Sequence, residues 1–276
     1  MPAPRHDYAA TIGAVAEMVR AARARPAGGT GSIGIGMPGS LSPASGLVQN
    51  ANSTWLNGRP FQRDLEAQLG RPVRLANDAN CFALSEAVDG AGAGARSVFG
   101  VIIGTGCGGG LVFDGALIDG PRGIGGEWGH NPLPWASADE HPGPSAGAGG
   151  WAASRPGSRA RPRGRSRAES TGDRLSAEEI AARAAAGDAA AQATLDRHAS
   201  RLARGIAHVV NIFDPDVIVL GGGLSKLAHL YDVLPGAGAP YVLAEHARVV
   251  VKPPAWGDAG GVRGAAWLWG RDLARA

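Results

Sequence analysis

Lysine and cysteine are almost missing from this chain. Lysine stands only at Lys226 and Lys252, against 25 arginines, and cysteine only at Cys81 and Cys107. Two cysteines at that spacing make neither a disulfide framework nor a metal set, and a reducing compartment suits them. Nowhere does an apolar run reach the ~18 residues that a membrane-spanning helix needs. The opening residues, MPAPRHDYAATIGAVAEMVR, hold neither the apolar stretch nor the cleavage site of a signal peptide, so the expected address is the cytoplasm, with no membrane partner. An excess of basic charge is also missing outside one place. Six arginines fall between Arg155 and Arg167 with no acid among them, and without them the chain is mildly acidic. The net charge of +3 and pI near 9.2 therefore belong to one segment, and no nucleic-acid partner is expected.

What is present is ample apolar material. The chain is 44% hydrophobic and 18% charged over 276 residues, enough to bury one large core or two modest ones. Alanine and glycine abound, as a GC-rich gene produces. Tyr8 to Ala24 places Ile12, Val15, Met18 and Val19 at helical spacing. Strands are expected at Ser32–Met37, Val73–Ala76, Val98–Ile103, Asp216–Leu220 and Val249–Lys252, the VFGVII and DVIVL runs reading as strands buried on both faces. Helices are expected at Asp64–Leu69, after Asp78 (as its cap, with Cys81, Leu84 and Val88 on one face), at Ser176–Ala191 and Leu195–Phe213, and at Gly261–Leu273. Ser176 and Glu179 form a capping-box pattern. Strands alternating with helices indicate an α/β architecture. Pro142 to Thr171 does not fit it: no period of 2 or 3.6, almost no aliphatic side chain, and a mixture of Gly, Ala, Pro, Ser and Arg.

Four clusters could carry chemistry. Asn77-Asp78-Ala79-Asn80 is either a helix cap or a carboxylate placed to act as a general base. The run Gly104-Thr105-Gly106-Cys107-Gly108-Gly109-Gly110 holds more glycine than a hairpin turn needs, which suggests bare N–H groups close to phosphate. Gly221-Gly222-Gly223, after a buried strand, reads as tight packing or as a flat nucleotide surface. Glu127 and His130 sit three residues apart among glycines, which leaves them exposed to a cleft.

In this order, these clusters resemble the ROK family of sugar kinases and repressors. The likeness runs from His6 to Leu268 apart from Pro142–Thr171, and is most specific at NANSTWLNG (Asn50–Gly58), LANDANCFALSEAVDGAG (Leu75–Gly92), VIIGTGCGGG (Val101–Gly110), GEWGHNPLPW (Gly126–Trp135) and DPDVIVLGGGLS (Asp214–Ser225). NANSTWLNG and GHNPLPW resemble the fructokinase (mannokinase) branch, with the N-acetylglucosamine kinases next to it.

The resemblance implies an actin-like (ribonuclease H-like) ATPase fold of two lobes. Residues 1–95 would form the N-terminal lobe, completed by a helix at 261–276, and residues 96–260 the C-terminal lobe. It implies ATP-dependent phosphorylation of a hexose: fructose to fructose 6-phosphate, or alternatively N-acetylglucosamine or glucose. Asp78 would be the base that deprotonates the sugar hydroxyl. Asn52, Asn77, Glu127 and His130 would hold the sugar, Gly104, Thr105 and Gly106 the phosphates with Mg²⁺, and Gly221, Gly222 and Gly223 the adenosine. Dimers are usual in the family. Readings of another class are a sugar-binding pseudoenzyme, or a ROK repressor lacking its DNA-binding module.

Two departures stand out. Family members open with a strand and a DxGGT phosphate loop ahead of the first helix; nothing here matches it, so the N-terminal lobe is expected to lack its first strands. After GEWGH the family has a loop, CxCGxxGCxExxxSG, whose cysteines join the histidine around Zn²⁺. Here no cysteine follows Cys107, so His130 would lack its zinc partners. Read one nucleotide out of frame, Ala146–Ala160 can encode CWCGRLGCVETWLSG, the family loop at full spacing. A shifted-frame segment, with the frame restored near Thr171, is therefore expected, the alternative being a disordered insert particular to this lineage, together with impaired activity of the chain as written.

Overall fold

The computed structural model describes residues 4–24, 31–104, 106–140 and 175–270; of residue 139 only the backbone is described. Thr105 and the whole of Pro142–Thr171, with the expectations placed on them, lie outside the described residues.

The N-terminal part is built on a parallel pair, β1 (Ile33–Met37) and β4 (Val73–Asn77), in register from Ile33 opposite Val73 to Met37 opposite Asn77. A small antiparallel pair, β2 (Ser40–Leu41) and β3 (Val48–Gln49), follows β1. Helix α1 (Tyr8–Arg23) starts where Asp7 accepts a hydrogen bond from the Ala10 N–H, and buries Ile12 and Ala16. Met18, expected inside, is 53% exposed, because the buried stripe runs through Ile12 and Ala16 instead. Helix α2 (Phe61–Leu69) begins three residues earlier than the sequence pattern suggests: Phe61 and Leu65 are its buried residues, and they set its inward face. These two with Ile12, Ile33, Met37, Val48, Leu56 and Val73 form one core. Tyr8 Oη donates to Asp64 Oδ2 at 2.8 Å and closes α1 on α2.

The second sheet has five strands in the order β7-β6-β5-β8-β9: β5 (Ser97–Ile103), β6 (Cys107–Phe113), β7 (Ala116–Leu117), β8 (Val217–Gly221) and β9 (Val251–Lys252). β5 and β8 run parallel, and β6 turns back antiparallel on β5. The period of two along a strand sorts the side chains. Phe99, Val101, Ile103, Ile218 and Leu220 face α5 (Ala189–Phe213) and α6 (His229–Ala237), where Leu202, Ile206, Leu230 and Leu234 meet them. Val98, Val112, Val217 and Val219 face the other way, toward Phe82 and Ala83 of α3 (Asp78–Asp89). The two apolar runs are thus buried on both faces, as expected. Each such aliphatic side chain removed from water contributes about 1.5–3 kcal/mol.

Two expected helix limits shift. The break expected between Ala191 and Leu195 falls earlier, between α4 (Ala177–Ala185) and α5, because Gly187 takes φ 89° and Asp188 caps α5 through the Ala190 and Ala191 N–H groups; the Ser176–Glu179 capping box is present. The last helix, α7, spans Gly260–Trp267, and residues 271–276 lie outside the described residues.

Helix α3 is the central element. It is buried from Ala79 to Glu86 on every side, not on the single face expected from Cys81, Leu84 and Val88. On one side it meets β1 and α7. A side chain on Gly264 of α7 would collide with the Cys81 carbonyl, and one on Gly36 would press the Cys81 sulfur. On the other side Ala83 lies against Gly100 of β5. Among the described residues no helix is long and apolar enough to cross a membrane.

Candidate active site

Asp78 is the first residue of α3, immediately beyond the carboxyl end of β4. The cap is not Asp78 but Asn77, whose side-chain oxygen accepts from the Ala79 N–H at 2.8 Å; Asp78 Oδ1 accepts from the same N–H at 2.9 Å. Asp78 remains accessible to water although protein surrounds it, as a group does in an open recess. Burial pushes its carboxyl above the ordinary carboxylate range, the Ala79 N–H opposes that push, and the negative charge of Glu127 adds to it. A carboxyl so placed holds a proton more readily than one in water, which is the property a general base needs.

Around Asp78 the other clusters converge. Asn77 donates one N–H of its side-chain NH2 to the Gly39 carbonyl at 3.1 Å, so both ends of this side chain are engaged and one N–H and one lone pair of its oxygen remain for a ligand. Gly39 lies so close to the backbone of Ala51 that no Cβ would fit. Asn57 then holds Ala51 from both sides, accepting from its N–H and donating to its carbonyl, each at 2.9 Å. Asn52 follows directly, with its side chain exposed on this loop. The NANSTWLNG motif is thus a fastened loop set over the start of α3.

Glu127 and His130 arrive from the other sheet. Trp128 between them is the anchor: its ring is buried, meets Phe99 edge-on at 5.5 Å, and donates Nε1–H to the Gly108 carbonyl at 2.9 Å. With Trp128 held inward, Glu127 and His130 turn outward and pair, Nδ1 to Oε2 at 3.1 Å. That bond holds the imidazole above its usual pKa, against the opposing effect of burial.

The glycine excess has a different cause from the one the sequence suggests. Gly108, Gly109 and Gly110 are strand residues of β6, opposite Ile102, Val101 and Gly100. A side chain on Gly109 would strike Trp128 and one on Gly110 would strike Asn80 and the Ala79 carbonyl, while one on Gly108 would only touch Ala79, so Gly109 and Gly110 let α3 and the Trp128 loop close on the sheet. Gly104 and Gly106 remain as a turn closed by the Gly104 N–H on the Gly106 carbonyl at 3.0 Å. The second glycine run lies beside it. Gly221 packs under the Phe82 ring, Gly222 adopts φ +81° against the Ile103 carbonyl, and Gly223 is open, with its N–H next to Gly104. Both turns leave the carboxyl ends of parallel strands, where ligands of α/β sheets bind.

Behind Gly222 is a cleft of about 330 Å³, the size of a small-ligand site, lined by Ser225, Lys226, Tyr231, Pro254 and Asp258 among others. Tyr231 Oη donates to the Ser225 carbonyl at 2.6 Å, and Ser225 Oγ to the Gly222 carbonyl at 2.7 Å, which fixes one wall. Ser225 ends the DPDVIVLGGGLS motif but Lys226, Tyr231, Pro254 and Asp258 carry none; only the register of β8 and β9 brings Pro253 and Pro254 next to Gly222. Asp119 is equally silent in sequence. It accepts from Asn80 Nδ2 at 2.8 Å, and burial pushes its carboxyl up.

No three His, Cys, Asp or Glu side chains group to hold a metal among the described residues, and the Nδ1 of His130 is engaged by Glu127, so no zinc set forms around it there. For magnesium the turns offer backbone N–H groups to phosphate, and the ion would be held chiefly by phosphate oxygens and water.

Residues 1–272 match the ROK family. The N-acetyl-D-glucosamine kinase of Pasteurella multocida is 41% identical over 245 residues, covering 87% of this chain and 80% of that protein. That of Photobacterium profundum is 40% identical over 269 residues, covering 96% and 88%. Among solved structures, the ROK hexokinase from Thermus thermophilus superposes with a TM-score of 0.80 at 31% identity, covering 96% of this chain and 87% of that one. A ROK family glucokinase from Streptomyces griseus, in complex with glucose and AMPPNP, superposes with a TM-score of 0.74 at 25% identity, covering 100% and 90%.

Proposed function

The chain belongs to the ROK family and has its actin-like ATPase fold, and from that premise we propose that it transfers the terminal phosphoryl group of ATP to a hydroxyl of N-acetylglucosamine. The observation that carries the reading is Asp78: an accessible carboxylate with raised proton affinity, flanked by the Asn52 loop and the Glu127–His130 pair, with two glycine turns beyond. Sugar-kinase chemistry is supported by the kinases among its relatives. The choice of sugar is finer: both relatives above are N-acetylglucosamine kinases, which favours that sugar over the fructose suggested by NANSTWLNG and GHNPLPW.

In this mechanism Asp78 accepts the proton of the attacking hydroxyl while that oxygen bonds to the γ-phosphorus and the bond to the ADP oxygen breaks. Asn52, Glu127 and His130 orient the sugar hydroxyls, His130 as donor and Glu127 as acceptor. Asn77 contributes mainly by holding the start of α3. The Gly104–Gly106 turn lies toward the phosphates, with the Gly104 N–H already given to the Gly106 carbonyl, and Gly221–Gly223 with the 330 Å³ cleft receive the nucleoside. Magnesium, when bound to the phosphates, neutralises their charge. Residues 1–95 and 96–260 act as the two lobes.

The test is ADP release from ATP with N-acetylglucosamine, fructose, mannose and glucose, run on this chain and on a version carrying the frame-corrected reading of Ala146–Ala160. The highest kcat/KM is expected with N-acetylglucosamine, and faster turnover in the corrected chain. A clear preference for fructose would return the specificity to the other branch, and absence of ADP release from both chains with every sugar would end the kinase reading. The gene sequence across codons 142–171 tests the frame directly.

A further inference from the structure

Glu86 is a fully buried carboxylate in the second half of α3, and no role in sugar or phosphate handling falls to it. Its partners are backbone amides. Oε2 accepts from Ala91 N–H at 2.8 Å and from Ala255 N–H at 3.0 Å, while Oε1 lies 3.5 Å from the Trp256 nitrogen. Ala255 and Trp256 stand in the middle of the segment whose neighbours Pro253, Pro254, Gly257 and Asp258 line the 330 Å³ cleft. This segment makes no long strand of its own, since β9 ends at Lys252. Backbone N–H groups are obligatory donors, and here a buried side chain from another element accepts from two of them although Ala255 and Trp256 are themselves exposed.

A second tie lies one turn further along the same helix. Asp89 accepts from Trp256 Nε1 at 3.2 Å and pairs with Arg263, whose guanidinium stacks 3.8 Å from the centre of the Trp256 ring. Both ties come from the helix that begins with Asp78. Eight residues separate Asp78 from Glu86, about 12 Å of rigid helix.

We infer that Glu86 is a positioning residue for the nucleotide: it holds the 253–258 wall of the cleft at a set distance from Asp78, so that the phosphoryl donor and the base stay in register. The inference rests on the cleft being the nucleoside site of the kinase proposed above. Glutamine in place of Glu86 keeps a single oxygen for three amides, so its NH2 group must face at least one backbone N–H, loosening the wall while leaving the sugar loops untouched.

The test uses two variants of the full chain, Glu86→Gln and Ala255→Pro, the latter removing a donor while leaving the carboxylate in place. ADP and sugar binding are measured by calorimetry, the KM values for ATP and for sugar by ADP release, and amide exchange at Ala255 and Trp256 by mass spectrometry. Both variants are expected to raise the ADP Kd and the ATP KM by about tenfold, a change of about 1.4 kcal/mol, with sugar affinity within about twofold and faster exchange at the two amides. Unchanged ADP affinity in the variants, or an equal loss of sugar and nucleotide affinity, would overturn the inference while leaving the kinase reading intact. Fast exchange at both amides in the unmodified protein would do the same, whether or not either variant folds. An unmodified protein that binds sugar but no nucleotide would overturn both.

Discussion

Glu127 Oε2 sits 3.1 Å from His130 Nδ1, and the charge of that one carboxylate is felt in opposite ways by two neighbours: it favours the cationic form of His130 and the neutral form of Asp78. Burial is the larger influence on Asp78, and the charge of Glu127 adds to it against the opposing Ala79 N–H.

A shift in the pH profile is the first consequence. As a base, Asp78 works only when ionised, so kcat/KM should fall on the acid side at a pH above the usual carboxylate value. Glu127→Gln removes a negative charge, makes Asp78 easier to ionise, and should move that acid limb to lower pH, whatever it does to the absolute rate. A limb that stays in place or moves up would separate the two carboxylates electrostatically.

Asp78→Asn should lower kcat by about 10²–10⁴-fold, the usual contribution of a positioned base. Asparagine keeps an oxygen for the Ala79 N–H, so the helix start, the melting temperature and sugar affinity should change little. Retention of near-full turnover would move the base elsewhere.

Glu140 and Arg204 form a pair that is 10% and 7% exposed, with two contacts of 2.8 Å, a third from Arg201, and the Trp135 carbonyl on the same guanidinium. Glu140→Gln leaves a buried cation and should cost about 3–5 kcal/mol at neutral pH. The hydrogen bonds from Arg204, more than any other influence, hold the Glu140 carboxyl well below its usual value of 4.5. Its contribution is therefore complete above that unfolded-state value and declines as pH falls below it. Urea denaturation at pH 7 and at pH 3 should show the difference between the two proteins narrowing in acid; an undiminished gap would contradict the ion pair.

Gly264→Ala inserts a methyl group where the Cys81 carbonyl already lies, and should destabilise the protein by about 1–3 kcal/mol through displacement of α7 from α3. Thermal unfolding reads this directly, and an unshifted midpoint would mean that the crossing is looser than described.

The site is legible in the sequence unevenly. Asp78 stands out because a strand-to-helix junction is a local pattern, yet which of Asn77 and Asp78 caps the helix depends on side-chain rotation, which no local pattern records. Glu127 and His130 are legible as a pair, but Trp128, which turns both of them outward, looks like any apolar residue. The run from Gly104 to Gly110 reads as one loop. The antiparallel register makes half of it a strand, since glycine there relieves a contact with α3 that lies elsewhere in the chain.

By itself the sequence determined the parts whose causes are local: the alternation of strands and helices, the two apolar runs buried on both faces, the Ser176–Glu179 box, and the order of motifs that marks the ROK family. Tertiary structure alone decided what depends on partners far apart in the chain. The three amides gathered by Glu86, the cleft wall brought beside Gly222 by strand order, and the closeness of Glu127 to Asp78 all depend on residues from separate elements, and no spacing along a chain encodes a distance across a fold.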